Sequence, residues 1–309
     1  FFANNLLENS RFVAMSGNCL LLSLQEENGY RAAAVFTSPF ADNNILSSFE
    51  ASIPLPPKSI ICRYDPVEKI NSAFILATDG TESAIYKLTD DIGLFEEIHR
   101  DSKLTGLARL LRTETPSIDE ICAYGNGIKC SSKSSQWTQW KEELSPQANI
   151  TVNRMTVMSC EEGWCYLAVG PKGGLYIHRQ NEWKRIPVDT VEDLVAVSDR
   201  QGKFVAAGNN GTVVVGNAES AKASTIAEGK DILSLSWYEY YFQGVTSDGY
   251  IVRGIAENDI LTASCINPQQ IEGNVVDAMY FVCEQAANYV ILRQDSLIGD
   301  YDCSLISVI

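Results

Sequence analysis

Between Asp193 and Gly229, apolar residues gather into four short runs, 194–198, 204–207, 212–215 and 224–227, each bounded by polar or glycine-containing turns. Runs this short and this rich in valine predict strands, and Asn209-Asn210-Gly211 supplies the positive φ that a tight hairpin needs. The segment is therefore expected to fold as a four-stranded antiparallel meander. The same order recurs from Arg154, as RMTVMSCEEGWCYLAVGPKGGLYIHRQNEWKRIPV, and from Arg11, as RFVAMSGNCLLLSLQEENGYRAAAVFTS. Further copies open near Ser59, Leu104, Ile232 and Val275, and second hairpins are marked by Asp79-Gly80, Asn126-Gly127 and Asp248-Gly249.

First strands near 11, 59, 104, 154, 194, 232 and 275 lie 38 to 50 residues apart. A four-stranded unit of that period is a propeller blade. The predicted fold class is all-β: a seven-bladed β-propeller of four-stranded antiparallel blades, forming one domain over 1–309. Six or eight blades would require a miscount, most readily in 37–58, where Pro54, Pro56 and Pro57 mark an inter-blade loop because proline cannot continue a ladder. The stretch from 275 onward holds three strands. Residues 1–7 are therefore expected to supply the missing outer strand of the last blade, closing the ring and covering two bare strand edges. Leucines at 104, 107, 110 and 111 have helical spacing, but the repeat requires an inner strand there, and a strand is expected.

Charge narrows the partners. With 24 Lys plus Arg against 39 Asp plus Glu, the net charge is −15, which repels nucleic acid and anionic membrane surfaces and favours a neutral or basic partner. The densest basic stretch, 109–112, holds only two arginines. A run of about 18 apolar residues, the length of a spanning helix, is absent, so no membrane insertion is expected. The chain begins at Phe1, which fits a mature or a trimmed protein, and a secreted or periplasmic location is favoured over a cytoplasmic one.

Nine cysteines leave at least one unpaired, and neither close pair, Cys122 with Cys130 or Cys160 with Cys165, has zinc-site spacing. Buried free thiols are the general expectation. Cys160 and Cys165 flank a turn and form the candidate disulfide. His99 and His178 fall on different blades, so neither a metal centre nor a Ser-His-Asp arrangement is expected, and no cofactor is implied. Pro171-Lys172-Gly173-Gly174 lies between strands and lacks the helix N-terminus of a phosphate loop, so turn chemistry accounts for its glycines. Asn149 and Asn210 open sequons at about the frequency chance provides.

From Gly125 the chain reads GNGIKCSSKSSQW, which resembles a degenerate Asp-box repeat, Ser-x-Asp-x-Gly-x-Thr-Trp, of the sialidase-like and photosystem II assembly-factor propellers. Aligned on Trp137, Ser132 stands at the Asp position, Ser134 at the Gly and Gln136 at the Thr. FVAAGNNGTVVVG, from Phe204, resembles the accompanying hairpin. The resemblance implies a propeller. Sialidase activity would further need an arginine trio, a Tyr/Glu pair and an acidic donor, and no arginine here can be assigned to such a trio.

Three functions follow: a non-enzymatic scaffold binding a protein or peptide, a glycan-processing enzyme using channel carboxylates, or an extracytoplasmic assembly factor. The first is the main expectation, with no catalytic residues and a glycan as the alternative ligand. Convergent carboxylates with an arginine cluster at the channel mouth would mark the enzyme. The candidate binding residues are Trp237, Tyr238 and Tyr240, in the aromatic turn SWYEYYF of the sixth blade, since amphipathic rings anchor interfaces and stack on sugars.

Overall fold

The computed structural model describes residues 10–16, 19–37, 45–65, 70–89, 95–112, 118–144, 149–160, 163–179, 182–238, 241–257, 260–283, 286–293 and 297–298. Their strands form seven antiparallel sheets arranged as the blades of a propeller. Six have four strands in sequence order and the seventh has three among the described residues. The blades begin with strands Arg11–Ser16, Pro57–Asp65, Leu104–Arg112, Arg154–Cys160, Leu194–Arg200, Ile232–Tyr238 and Val275–Cys283. The second starts two residues ahead of Ser59, with Pro57 opening the strand, where its missing N–H costs no ladder bond. Residues 1–7, expected to complete the last blade, lie outside the described residues.

Leu104–Arg112 is a strand, paired along its length with Ile118–Gly125. Helical spacing of its leucines loses to cross-strand pairing, since an amphipathic helix there would leave one edge of the neighbouring strand unpaired. The outer strand of the fifth blade is Ala221–Thr225, three residues earlier than 224–227. A side chain sets that difference: Asn217 Oδ1 accepts from the backbone N–H groups of Glu219 (2.8 Å) and Ser220 (3.0 Å), closing the turn early.

The core is divided among the interfaces between adjacent blades rather than gathered at one centre. Blades 1 and 2 share Leu21, Phe36, Ile60 and Tyr86; blades 4 and 5 share Met158, Leu167, Ile177 and Phe204. Met15 of blade 1, Val245 of blade 6 and Ile291 of blade 7 belong to one cluster, so the last blade packs on the first and the ring closes through apolar contact. Polar latches join successive first strands: Thr105 Oγ1 donates to Val152 O (3.2 Å), Asn153 Nδ2 to Leu194 O (2.9 Å) and Ser234 Oγ to Ala278 O (2.5 Å). Asp193 and Asp231, each just before a first strand, accept from the backbone of the preceding blade's second hairpin at Lys172 and Asn210 (both 2.9 Å). These contacts hold the first strands side by side around the central channel.

Candidate functional site

Six first strands bulge near their start, where Val13, Lys58, Thr105, Val195, Leu233 and Val276 are skipped by the pairing with the second strand. A bulge re-aims the residue beside it. The next positions are Ala14, Ser59, Gly106, Ala196, Ser234 and Asp277. In blade 4 the corresponding residue is Arg154, which pairs with Val169 next to Gly170 as Ala196 pairs with Ala207 next to Gly208. One level of the channel thus carries five small residues, one arginine and one aspartate. Blades 4 and 7 stand on opposite sides of a seven-membered ring, so the two charges face each other across the space the small residues leave.

That space is a cavity of about 460 Å³ lined by Lys58, Ser59, Gly106, Arg109, Tyr124, Arg154 and Asp277, with Ile60, Leu107 and Met155 among its apolar walls. Arg154 is exposed to the channel water although protein surrounds it. The phenol of Tyr124, a buried residue of the third blade's second strand, reaches the same cavity. Gly106 makes that reach sterically feasible: a Cβ there would stand 2.3 Å from the Tyr124 hydroxyl. Burial pushes the Tyr124 hydroxyl above its ordinary value, with Arg154 opposing and Asp277 adding to the rise, so the phenol is neutral at neutral pH.

Among the described residues lining the cavity, Asp277 is the single carboxylate. Glycoside hydrolysis ordinarily works with two carboxylates flanking the scissile bond, and the described lining residues supply one. Arg109 is already engaged, with Asp119 Oδ1 at 3.4 Å and Cys62 O at 3.3 Å. Among the described residues no three His, Cys, Asp or Glu side chains gather as a metal site.

Beside the cavity, Thr156 Oγ1 donates to Asp199 Oδ1 at 3.4 Å. Burial raises the Asp199 carboxyl from 3.8 to about 6, with the Thr156 bond opposing the shift. The folded state then keeps a proton that the unfolded chain releases, so this contribution to stability is present below about pH 4 and is lost as pH rises through about 6. Asp199→Asn is expected to be more stable than the parent at pH 7 and to flatten the stability profile between pH 4 and 6. Parallel urea titrations of both proteins across that window check it, and profiles that stay parallel would remove the assignment.

The aromatic turn of blade 6 is tighter than its sequence implies. Tyr238 pairs with Tyr241, leaving only residues 239–240 between the strands. Trp237 is half-buried against the apolar cluster shared by blades 5 and 6, and its indole nitrogen is buried. Tyr241 is also half-buried. Tyr238 belongs to the strand, its side chain lying outside the described residues, and Tyr240 lies outside them altogether.

Cys160 and Cys165 stand with Cα atoms 6.3 Å apart and their sulfurs within bonding distance. They are diagonal across the hairpin, Cys160 opposite Gly163 and Cys165 opposite Met158. Cys122 and Cys130 are directly opposite, Cα atoms 4.0 Å apart, with sulfurs again within bonding distance. Buried free thiols were the general expectation; the symmetric turn Gly125-Asn126-Gly127, centred midway between Cys122 and Cys130, is the signal that favours this pairing instead. Mass spectra of unreduced peptides from oxidatively prepared protein are expected to show both linked pairs, and free thiols at all four positions would contradict the assignment. The two histidines serve packing: His99 stacks on Trp140 at 4.7 Å, and His178 lies against Trp183 at 5.1 Å. Burial lowers both below the ordinary imidazole value. Asn210 Oδ1 accepts from Gly229 N at 2.7 Å, a turn role within its sequon.

These features define the class: a seven-bladed propeller with a polar cavity in its channel. No family model matches the chain, and no curated protein sequence matches it. Solved propellers resemble it in shape. The WD40 repeats of RRP9 superpose with a TM-score of 0.62 at 11% identity, over 94% of this chain and 89% of that one. U3-55K gives 0.61 at 9% identity, over 91% and 88%. Sqt1 of Saccharomyces cerevisiae gives 0.61 at 8% identity, over 94% and 95%. At these identities the likeness establishes the fold alone. Among the described residues no helix is long and apolar enough to cross a membrane.

Proposed function

We infer that the chain is a non-enzymatic propeller that binds a protein or peptide partner. The observation that carries this reading is the channel lining, where among the described residues the single carboxylate, Asp277, faces Arg154, whereas glycoside chemistry ordinarily uses a pair of acids. The shape shared with the WD40 repeats of RRP9 supports it, since the same rigid ring there is also built of repeated blades. The Asp-box resemblance of 125–137 and an assembly role belong to the same proposal. Net charge −15 favours neutral and basic partners.

The partner-facing residues proposed are Tyr238 and Tyr240 at the blade 6 hairpin, with Trp237 acting from behind as packing support. Fluorescence anisotropy against synthetic peptides of graded charge tests this. Neutral and basic peptides are expected to bind and acidic ones to fail. Tyr238→Ala should weaken binding by about tenfold, the loss typical of an aromatic anchor, with an unchanged melting temperature. Equal binding by Tyr238→Ala removes the site, and turnover of aryl glycosides by the parent protein removes the non-enzymatic reading.

A further inference from the structure

We propose that the channel cavity is a binding site for a small organic carboxylate, gripped by Arg154 and Tyr124 and limited to one negative charge by Asp277. The proposal goes beyond the partner reading and does not depend on it. At the level where other blades place Ala14, Ser59, Gly106, Ala196 and Ser234, blade 4 alone supplies a cation, and the small residues leave the room that its side chain and a ligand share.

Arg154 offers five N–H donors in a planar fork matched to a carboxylate. Tyr124 lines the same cavity, and its O–H is a donor of a second kind. The phenol is positioned there by the missing Cβ of Gly106, and it remains neutral at neutral pH, so it donates rather than repels. Two donors of different kinds thus line one cavity.

Charge and volume select the ligand. With Arg109 engaged by Asp119, Lys58 and Arg154 against Asp277 still leave the local balance positive inside a chain of net charge −15, and an anion leaving bulk water finds there the potential that the outer surface denies it. Asp277 faces Arg154 from the opposite side. A carboxylate brings one negative charge toward it, whereas a phosphate near neutral pH brings closer to two, which costs more against the same aspartate. The cavity, about 460 Å³, falls within the size of small-molecule sites.

Butyrate is the probe, titrated into the full chain by calorimetry at fixed ionic strength, with chloride and inorganic phosphate in parallel. Saturable binding of butyrate is expected, ahead of phosphate and absent for chloride. Arg154→Gln should weaken it by about tenfold or more, the scale of a lost charged hydrogen bond. Asp277→Asn should tighten it, because a repelling charge is removed. A purely structural Arg154–Asp277 attraction forecasts the opposite, loss of stability in Asp277→Asn and no butyrate response. The proposal is overturned if the parent binds butyrate no better than chloride, if phosphate is preferred, or if Arg154→Gln binds as the parent does. Should Arg154→Gln fail to fold, Asp277→Asn decides alone: unchanged or weakened butyrate affinity overturns it.

Discussion

Phe242→Ala is expected to destabilise the protein by about 3–5 kcal/mol, the range for emptying a buried phenylalanine site. Phe242, on the second strand of blade 6, is fully buried within the apolar cluster that blades 5 and 6 share. Its ring lies over Gly254 on the adjoining strand, where a Cβ would come within 2.2 Å of the ring carbon Cζ. The aromatic ring and the bare glycine are thus two halves of one fit. Walls on the blade 5 side, Val205, Val213 and Val215, belong to strands paired on both edges and have little freedom to collapse into a void. Urea denaturation followed by tryptophan fluorescence measures the loss. A cost below about 1 kcal/mol would mean that the blades slide together to fill the space, and the rigid-interface description would fail.

The ring was legible in the sequence because a blade is specified locally. Valine-rich runs and turns such as Asn209-Asn210-Gly211 act over a few residues, and their recurrence counts the blades without knowledge of any long-range contact. One boundary departed where a side chain overrode that pattern: Asn217 closed a turn early and drew the outer strand of blade 5 forward. In blade 6, pairing of Tyr238 with Tyr241 leaves two residues for the turn, and Trp237 packs at the blade interface, the burial that strand alternation provides for part of a crowded aromatic segment.

The channel site was not legible, for a different reason. Tyr124, Arg154 and Asp277 come from three blades, and only closure of the ring brings them to one cavity. The usable signal was positional rather than a motif. Aligning the first strands on their bulges puts a small residue at one level in five blades and leaves Arg154 and Asp277 as the exceptions. Arg154 had been visible only as the residue opening a repeat, a place where a charge is ordinarily a strand-end feature.

Gly208→Ala is expected to cost about 3 kcal/mol, at the upper end of overpacking substitutions, although Gly208 needs no unusual backbone angle. Its φ of −169° is extended and open to any residue. The constraint is proximity: a Cβ would lie 1.9 Å from the carbonyl oxygen of Asp193 and 2.9 Å from Cα of Leu194. Those are backbone atoms of the segment that enters blade 5, and they have no rotamer through which to withdraw. The segment is further tied down, since Asn209 N donates to Asp193 O at 3.0 Å and Asp193 Oδ1 accepts from Lys172 N at 2.9 Å. Gly170 occupies the same place in blade 4, with Thr151 O at 2.2 Å from its absent Cβ. Glycine there serves the approach of one blade's entry to the previous strand's end, a demand that turn chemistry does not contain. The matched comparison is Gly229→Ala, where nothing lies within 4 Å and only the positive φ of 74° opposes the methyl group. Thermal denaturation of both variants is expected to rank Gly208→Ala well below Gly229→Ala, and the reverse order would show that backbone angle, not close approach, governs these glycines.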